Sequence, residues 1–569
     1  MQSAQEPSLE VQDKVLEDSR SGAPFRWTPH LTAALLYAAI TLLYTYPQVT
    51  DLSAGVIVSP IGSSSDYNIV MWDAWWVKKA LIDLRTNPFR TTYLFYPNGA
   101  SLVLHELTLL NSLLTIPFQL LMSKPHGIIL GCNIASLLSF VIAGLGMFAL
   151  VKYLIKDNLV AFFGGAAFAF APYRSMHIVH IALLSTGFIP LYVMFLLKTL
   201  REKRWRNPLI GAMLAGATFL TCNMYVYFLA LLTALFLVYS ALFWRDELFG
   251  RESLIRFSIL FAGSGLLLLP FLIAVMRSGA AEPQPEQMLD LFSANALGYI
   301  LPADKHVFYR FLFRLMPQSI YYLSGVPGHA TFLTFTIIGL AVVALVKAPM
   351  RRNGFWLAML LVFLVLSLGT RLHFGKWSFA IPMPYLALYK YLPFFGVMRT
   401  PYRFVVPAQI GIFVLACYGL KHFIDKIQAC SRNARSGTMV AAAFSVLLLI
   451  ELWNIPFMQE MPAVPKIYMD IGRDEQEFAV MDLPSDSYPA LAKYMYYQTL
   501  HEKPIPAGLL SRTDPQVVEY GRELIPKSSK AGKLSLEEGE RLRALGFRYV
   551  IYHDIDQSAD NILAVLKLY

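Results

Sequence analysis

The sequence predicts an all-α, many-pass membrane domain of about eleven spans followed by a small C-terminal α/β domain, and three observations predict it. Of the 569 residues, 56% are hydrophobic and 15% charged, where a soluble domain carries about 25% charge. Long apolar runs recur along the chain, several near the ~20 residues a helix needs to cross ~30 Å of hydrocarbon. Basic residues gather in short clusters between those runs, as positive-inside topology requires. So little charge cannot cover a soluble surface, which excludes a cytosolic enzyme, a disordered chain and a secreted disulfide scaffold. The net charge of +10 is scattered among the loops and forms no nucleic-acid stripe. The four cysteines, Cys132, Cys222, Cys417 and Cys430, lack metal-ligand spacing.

Residues 1–28 are polar and acidic, without the basic and apolar regions of a cleaved signal peptide, and read as a cytosolic tail. The membrane domain occupies 29–453. Its apolar runs stand near 31–46, 127–151, 160–171, 181–199, 208–221, 223–244, 257–276, 330–346, 355–369, 404–424 and 438–453. With the N-terminus inside, the basic loops 198–206, 245–256, 347–352 and 421–435 fall in the cytosol. The loop 48–126, the loop 277–329 and the segment 454–569 then lie outside. In that last segment Phe478–Pro484 and Phe547–His553 read as buried strands, with Leu536–Leu545 a helix between them.

The first outside loop carries the chemistry. Trp72, Trp75, Trp76 and Ala80 follow helical spacing, which predicts an amphipathic helix over 68–85 lying in the headgroup zone with its tryptophans down. Asp66 stands at its start, where it could also cap the helix. Turn signals follow at Asn87-Pro88 and Pro97-Asn98-Gly99. Leu104-His105-Glu106-Leu107 then opens a second interfacial helix. Asp66, Asp73, Glu106 and His105 thus share a platform at the water–membrane boundary.

These residues carry a resemblance. An Asp after the first span (Asp66), then Trp72–Trp76, Asn87–Phe89, Leu94–Gly99 and His105, is similar to a bacterial group of multispanning proteins within the GT-C superfamily of membrane glycosyltransferases. The likeness extends to Ala171–Arg174 with His177 and His180, Ser293–Asn295, Arg399–Arg403 and Tyr497–His501. The group often has Gly where Ser65 stands and Asp where Asn295 stands. The resemblance implies interfacial helices in the first outside loop, a catalytic acid near the loop's start, and a polyprenyl-phosphate sugar donor. Its acceptor would be a glycan, lipid or protein outside the cytoplasmic membrane of a bacterium.

For such a transfer one carboxylate suffices as base in an inverting displacement, since the phosphate leaves as an anion. Asp66 is the expected base, with Asp73 and Glu106 as alternatives. Arg399, Arg403 and Arg174 suit the donor phosphate, and Trp72, Trp76, His105, His177 and His180 complete the expected binding set. No cofactor is expected and no divalent metal is indicated. Asp554-Ile-Asp556, with Ser558 and Asp560, reads as a solvated loop. There is no phosphate-binding Gly loop or H-E-x-x-H. The alternatives are a transporter or flippase for a lipid-linked glycan and a non-catalytic scaffold. Spans such as 223–244 carry no central charge, as a transporter's would.

Overall fold

Each of the eleven apolar runs folds around a helix, because a chain in lipid must satisfy its backbone internally. The computed structural model describes residues 27–59, 65–278, 283–302, 306–309, 311, 330–347, 349–392, 395–431, 434–453, 457–461, 463–512, 515–526, 534–554 and 561–569. Residues 1–26 of the expected tail lie outside the described residues, as do Asp556, Ser558 and Asp560.

The first helix, α1 (Trp27–Tyr44), leads to the short strand β1 (Val56–Val58) and then to α2 (Asp66–Lys78), which runs on as a π turn over Lys79–Asp83. A two-residue-per-strand ladder, β2 (Arg90–Thr91) with β3 (Ala100–Ser101), precedes α3 (Leu109–Leu121). The bundle follows: α4 (His126–Ile155), α5 (Asn158–Ala169), the short α6 (Pro172–Met176) and α7 (Ile181–Leu184), then α8 (Phe188–Arg201), α9 (Arg206–Thr221), α10 (Tyr225–Phe243) and α11 (Arg251–Ser278). After α12 (Glu286–Leu291) come α13 (Phe335–Lys347), α14 (Met350–Ser367), the hairpin β4 (Arg371–Phe374) and β5 (Trp377–Pro382), α15 (Pro384–Tyr391), α16 (Val405–Ser431) and α17 (Ala434–Leu452).

Among the described residues six helical segments are long and apolar enough to cross a membrane: α4, Ile181–Arg201, α10, α11, α16 with its leading turn, and α17. The apolar parts of α1, α3, α13 and α14 are shorter. Small residues let the central helices close up. A Cβ on Gly144 would meet the Tyr37 ring, and one on Gly165 the Tyr37 hydroxyl. Tyr37 in turn stacks on Phe162 and donates to its carbonyl at 3.0 Å.

The C-terminal segment begins with β6 (Met458–Glu460) and α18 (Lys466–Gly472). It continues through β7 (Ala479–Leu483), α19 (Tyr488–His501), α20 (Pro515–Leu524), α21 (Leu536–Ala544), β8 (Phe547–Asp554) and β9 (Asn561–Lys567). Its sheet has the order β7-β8-β9, parallel in the first pair and antiparallel in the second. Ser535 caps α21 in a capping box with Glu538, which satisfies two of the helix's free N–H groups.

Strand β1 pairs antiparallel with β6. Asn133, in the first turns of α4, fixes the approach: its Nδ2 donates to Leu52 O and Gly55 O, and its Oδ1 accepts from Ile57 N. The first loop and the C-terminal segment therefore share one face of the bundle. The basic ends of the helices gather at the other. There Arg201 stands 4.8 Å over Trp244 and bonds Glu247, Arg352 lies 4.5 Å over Tyr418, and Lys421 pairs with Asp157.

Candidate active site

Asp66 is the first residue of α2, and its carboxylate does not cap that helix. The residue in the cap position is Ser65, which makes no side-chain cap bond. Instead Oδ2 of Asp66 accepts from Nε2 of His180 at 2.8 Å, and Oδ1 accepts from the Tyr488 hydroxyl at 2.6 Å. His180 comes from the bend between α6 and α7, and Tyr488 from the first turn of α19. One carboxylate thus joins the first loop, the membrane bundle and the C-terminal segment.

The Asp66 side chain is 20% exposed. Burial pushes its carboxyl up, but the bonds from His180 and Tyr488 and the charge of Arg399 outweigh burial and hold it below the usual carboxylate range. Burial and the neighbouring Asp66 carboxylate raise the Tyr488 phenol, so it stays protonated and donates. Arg399 is exposed and lies within electrostatic reach of Asp66, Tyr488 and Glu106. The result is an ionised carboxylate with solvent access and an exposed cation within electrostatic reach.

Arg403 follows on the turn that leads into α16. Its Nη1 meets the Met224 sulfur at 3.4 Å, and its Nε is buried without a hydrogen-bond partner among the described residues. Glu106 accepts from the Cys222 thiol at 2.8 Å. His177 is buried: its Nδ1 meets Tyr173 O at 2.6 Å and its Nε2 the Tyr402 hydroxyl at 2.7 Å. A carbonyl only accepts, so Nδ1 carries the proton and Nε2 accepts from Tyr402. Burial, with His180 and Arg403 close by, depresses the His177 pKa well below its ordinary value. The ring is therefore a neutral link between α6 and the arginine turn.

Three expected site residues stand elsewhere. Arg174 is 1% exposed and turned into the bundle. It donates from Nε to Ala169 O and from Nη2 to Ser139 O, both at 2.8 Å, and from Nη1 to the Thr186 hydroxyl. Its donors are spent on the fold. Trp72 and Trp76 do not face a headgroup zone: both are at most 1% exposed, and the C-terminal segment covers α2. Nε1 of Trp72 donates to Gln498 Oε1 at 2.6 Å, Nε1 of Trp75 to Glu502 at 3.3 Å and Nε1 of Trp76 to Pro88 O at 2.9 Å. A tryptophan stripe has the same spacing whether lipid or protein covers it, and here protein does.

Asp73 is equally enclosed at 3% exposure. His105 Nδ1 accepts from Ser511 N, so its Nε2 donates to Asp73 Oδ1 at 2.7 Å. Burial pushes the Asp73 carboxyl up. The helix expected to open at Leu104 starts at Leu109 instead, leaving His105 and Glu106 in the loop before it.

Nothing local in the sequence marks Tyr488, because its contact with Asp66 spans 422 positions. Tyr497–His501 did stand out, and Gln498 within it is the residue that receives Trp72.

The family described as Domain of unknown function (DUF6311) matches residues 68–451. The chain belongs to this family. The DUF6311 match begins two residues after Asp66 and ends with Glu451, next to the last residue of α17. No curated protein matches the sequence. Among solved structures, the DUF6311 chain is similar to the oligosaccharyltransferase of Archaeoglobus fulgidus in its apo form, with a TM-score of 0.52, 12% identity, and 92% of this chain and 69% of that chain covered. The same protein in complex with Zn and sulfate gives 0.50 at 12% identity, covering 92% and 68%. ArnT from Cupriavidus metallidurans bound to undecaprenyl phosphate gives 0.47 at 11% identity, covering 91% and 92%. At such identities the likeness to the oligosaccharyltransferase is one of fold alone: a helical, polytopic membrane architecture.

Proposed function

We propose that the chain is a membrane glycosyltransferase that moves a sugar from a polyprenyl-phosphate donor to a glycan, lipid or protein acceptor, with inversion and with Asp66 as base. The observation that carries this reading is the Asp66 carboxylate. It is kept ionised, open to water, and set at the head of a bundle of membrane helices with Arg399 beside it. The fold shared with an oligosaccharyltransferase adds to it. Asp66 is preferred over Asp73, whose carboxylate His105 closes off.

In the proposed step the acceptor hydroxyl gives its proton to Asp66 as its oxygen bonds to the anomeric carbon. The bond from that carbon to the donor phosphate breaks, and polyprenyl phosphate leaves with the electron pair. Arg399 and Arg403 hold the phosphate, offering planar multidentate donors as its charge grows. His180 fixes the carboxylate's orientation. Trp72 and His105 act from beneath, by fastening α2 to the C-terminal segment, Trp76 fastens α2 to Pro88 of the first loop, and His177 fastens the arginine turn. Arg174 binds no donor in this reading. In this reading the loops with Arg201, Arg352 and Lys421 face the cytosol, by the positive-inside rule, and the site and the C-terminal segment lie outside the cytoplasmic membrane of a bacterium.

The test is bond cleavage. Proteoliposomes containing the chain are offered a series of polyprenyl-phosphate hexoses and pentoses with candidate acceptors, and lipid-linked sugar is followed by mass. A transferase converts one donor to polyprenyl phosphate. A flippase carries the intact donor across the bilayer, and that outcome would replace this reading.

A further inference from the structure

Hairpin β4–β5 begins four residues after the last residue of α14 and forms a two-stranded sheet, met among the described residues by a single further bridge from His373 to Asn295. Its register sets Leu372 opposite Phe379 and Phe374 opposite Trp377. Cross-strand partners share a face, as do residues two apart on one strand. Leu372, Phe374, Trp377 and Phe379 therefore form one wholly apolar face, which Ile381 extends past a register shift in the ladder. His373, Ser378 and Ala380 lie on the other.

All six residues of β5 are exposed, while Leu372 and His373 in the middle of β4 are half-buried. Phe374, Trp377, Phe379 and Ile381 are 41%, 45%, 44% and 51% exposed. The hairpin is bonded to the protein through its turn and His373. Asn295 donates from Nδ2 to Gly375 O at 2.7 Å and accepts from Gly375 N at 2.9 Å, while His373 meets Asp290 at 3.0 Å. Gly375 holds the positive φ of +57° that this tight turn needs. The Ser293–Asn295 stretch that stood out in the sequence is thus the hairpin's mount. Next to it, Phe292 O accepts from Tyr402 N at 3.1 Å, which ties the mount to the arginine turn.

We infer that this hairpin is a membrane-surface anchor, seated in the headgroup–acyl boundary of the leaflet on the site's side with its apolar face toward the chains. A two-stranded hairpin with such a face is a poor structure in water. The open outer edge of β5 forbids the hydrocarbon interior, where each open backbone group is costly. The boundary satisfies both demands, and direct continuity with α14 puts the hairpin at that depth. Its composition fits as well: Trp, Phe and Ile flanked by Arg371 and Lys376, the latter 5.4 Å over the Trp377 ring, matches interfacial anchors on anionic lipid.

The test uses the full chain in phosphatidylcholine–phosphatidylglycerol vesicles, with the exposed Cys430 changed to Ser. A single environment-sensitive fluorophore is placed through Phe379→Cys or, on the opposite face, Ser378→Cys. Ile381→Cys serves as a second probe of the apolar face. Spin-labelled lipid should quench the 379 and 381 probes several-fold more than the 378 probe, and aqueous iodide should show the reverse order. Equal iodide quenching on both faces, or no lipid quenching at 379 and 381, overturns the inference. Either result leaves the proposed transfer reaction untouched.

Discussion

At the scale of single residues the account turns on what each polar atom already holds. Asp66→Asn keeps the shape of the carboxylate and removes its basicity, so transfer should fall by at least two orders of magnitude, the usual share of a general base being about 10²–10⁴. The variant should still unfold near the wild-type temperature in a detergent melt. Tyr488→Phe removes one donor to Asp66 and leaves His180 in place. Because that donor helps hold the carboxyl below its ordinary range, its loss should raise the Asp66 pKa. The acid limb of the pH–rate profile should then move upward, by roughly one unit if the bond is worth about 1.4 kcal/mol. An unmoved limb would separate Tyr488 from the base. Arg174 and Arg399 offer a matched contrast. Arg174→Met strips donors from two buried carbonyls and should lower the melting temperature without changing donor KM in the protein that folds. Arg399→Gln should do the opposite.

At the scale of elements the central feature is the clamp of α19 on α2. Glu502, just past the end of α19, accepts from Lys79 at 2.7 Å and also pairs with Lys124 and Trp75. Burial pushes its carboxyl up, but Lys124 and Lys79 bring it down to about 2. A carboxyl depressed on folding stabilises above its unfolded pKa, about 4.3, and that contribution drains away as pH falls toward 2. Glu502→Gln should therefore loosen the C-terminal segment at neutral pH, on the order of 2 kcal/mol, and flatten the acid limb of stability in a pH-dependent melt. Trp72→Ala, deeper in the same contact, should cost more, about 3–5 kcal/mol. The spacing of Trp72, Trp75 and Trp76 made α2 legible as a helix with one apolar face. What covers that face was not legible, because its cover comes from residues more than 400 positions away.

At the scale of the whole molecule the runs of apolar residues read directly as helices, since length and hydropathy are local properties. Phe547–His553 and Phe478–Pro484 were legible as strands for the same reason. The candidate site was legible only in part: Asp66, His180 and Arg399 come near one another, while Arg174, chosen for its charge, turns inward to carbonyls that no local pattern reveals. The β1–β6 pairing requires an even number of crossings between the first loop and the C-terminal segment. A C-terminal alkaline phosphatase fusion should accordingly be active if the basic helix ends are cytosolic, and a silent fusion with a cytosolic reporter lit would invert the topology. The most direct test of the central claim is a structure of the chain with an uncleavable polyprenyl-phosphate sugar analogue. The account predicts its phosphate against Arg399 and Arg403 with the anomeric carbon facing Asp66, close enough for an acceptor oxygen to fit between at about 3 Å from each. A donor headgroup seated away from Asp66, on any other face of the bundle, would contradict it.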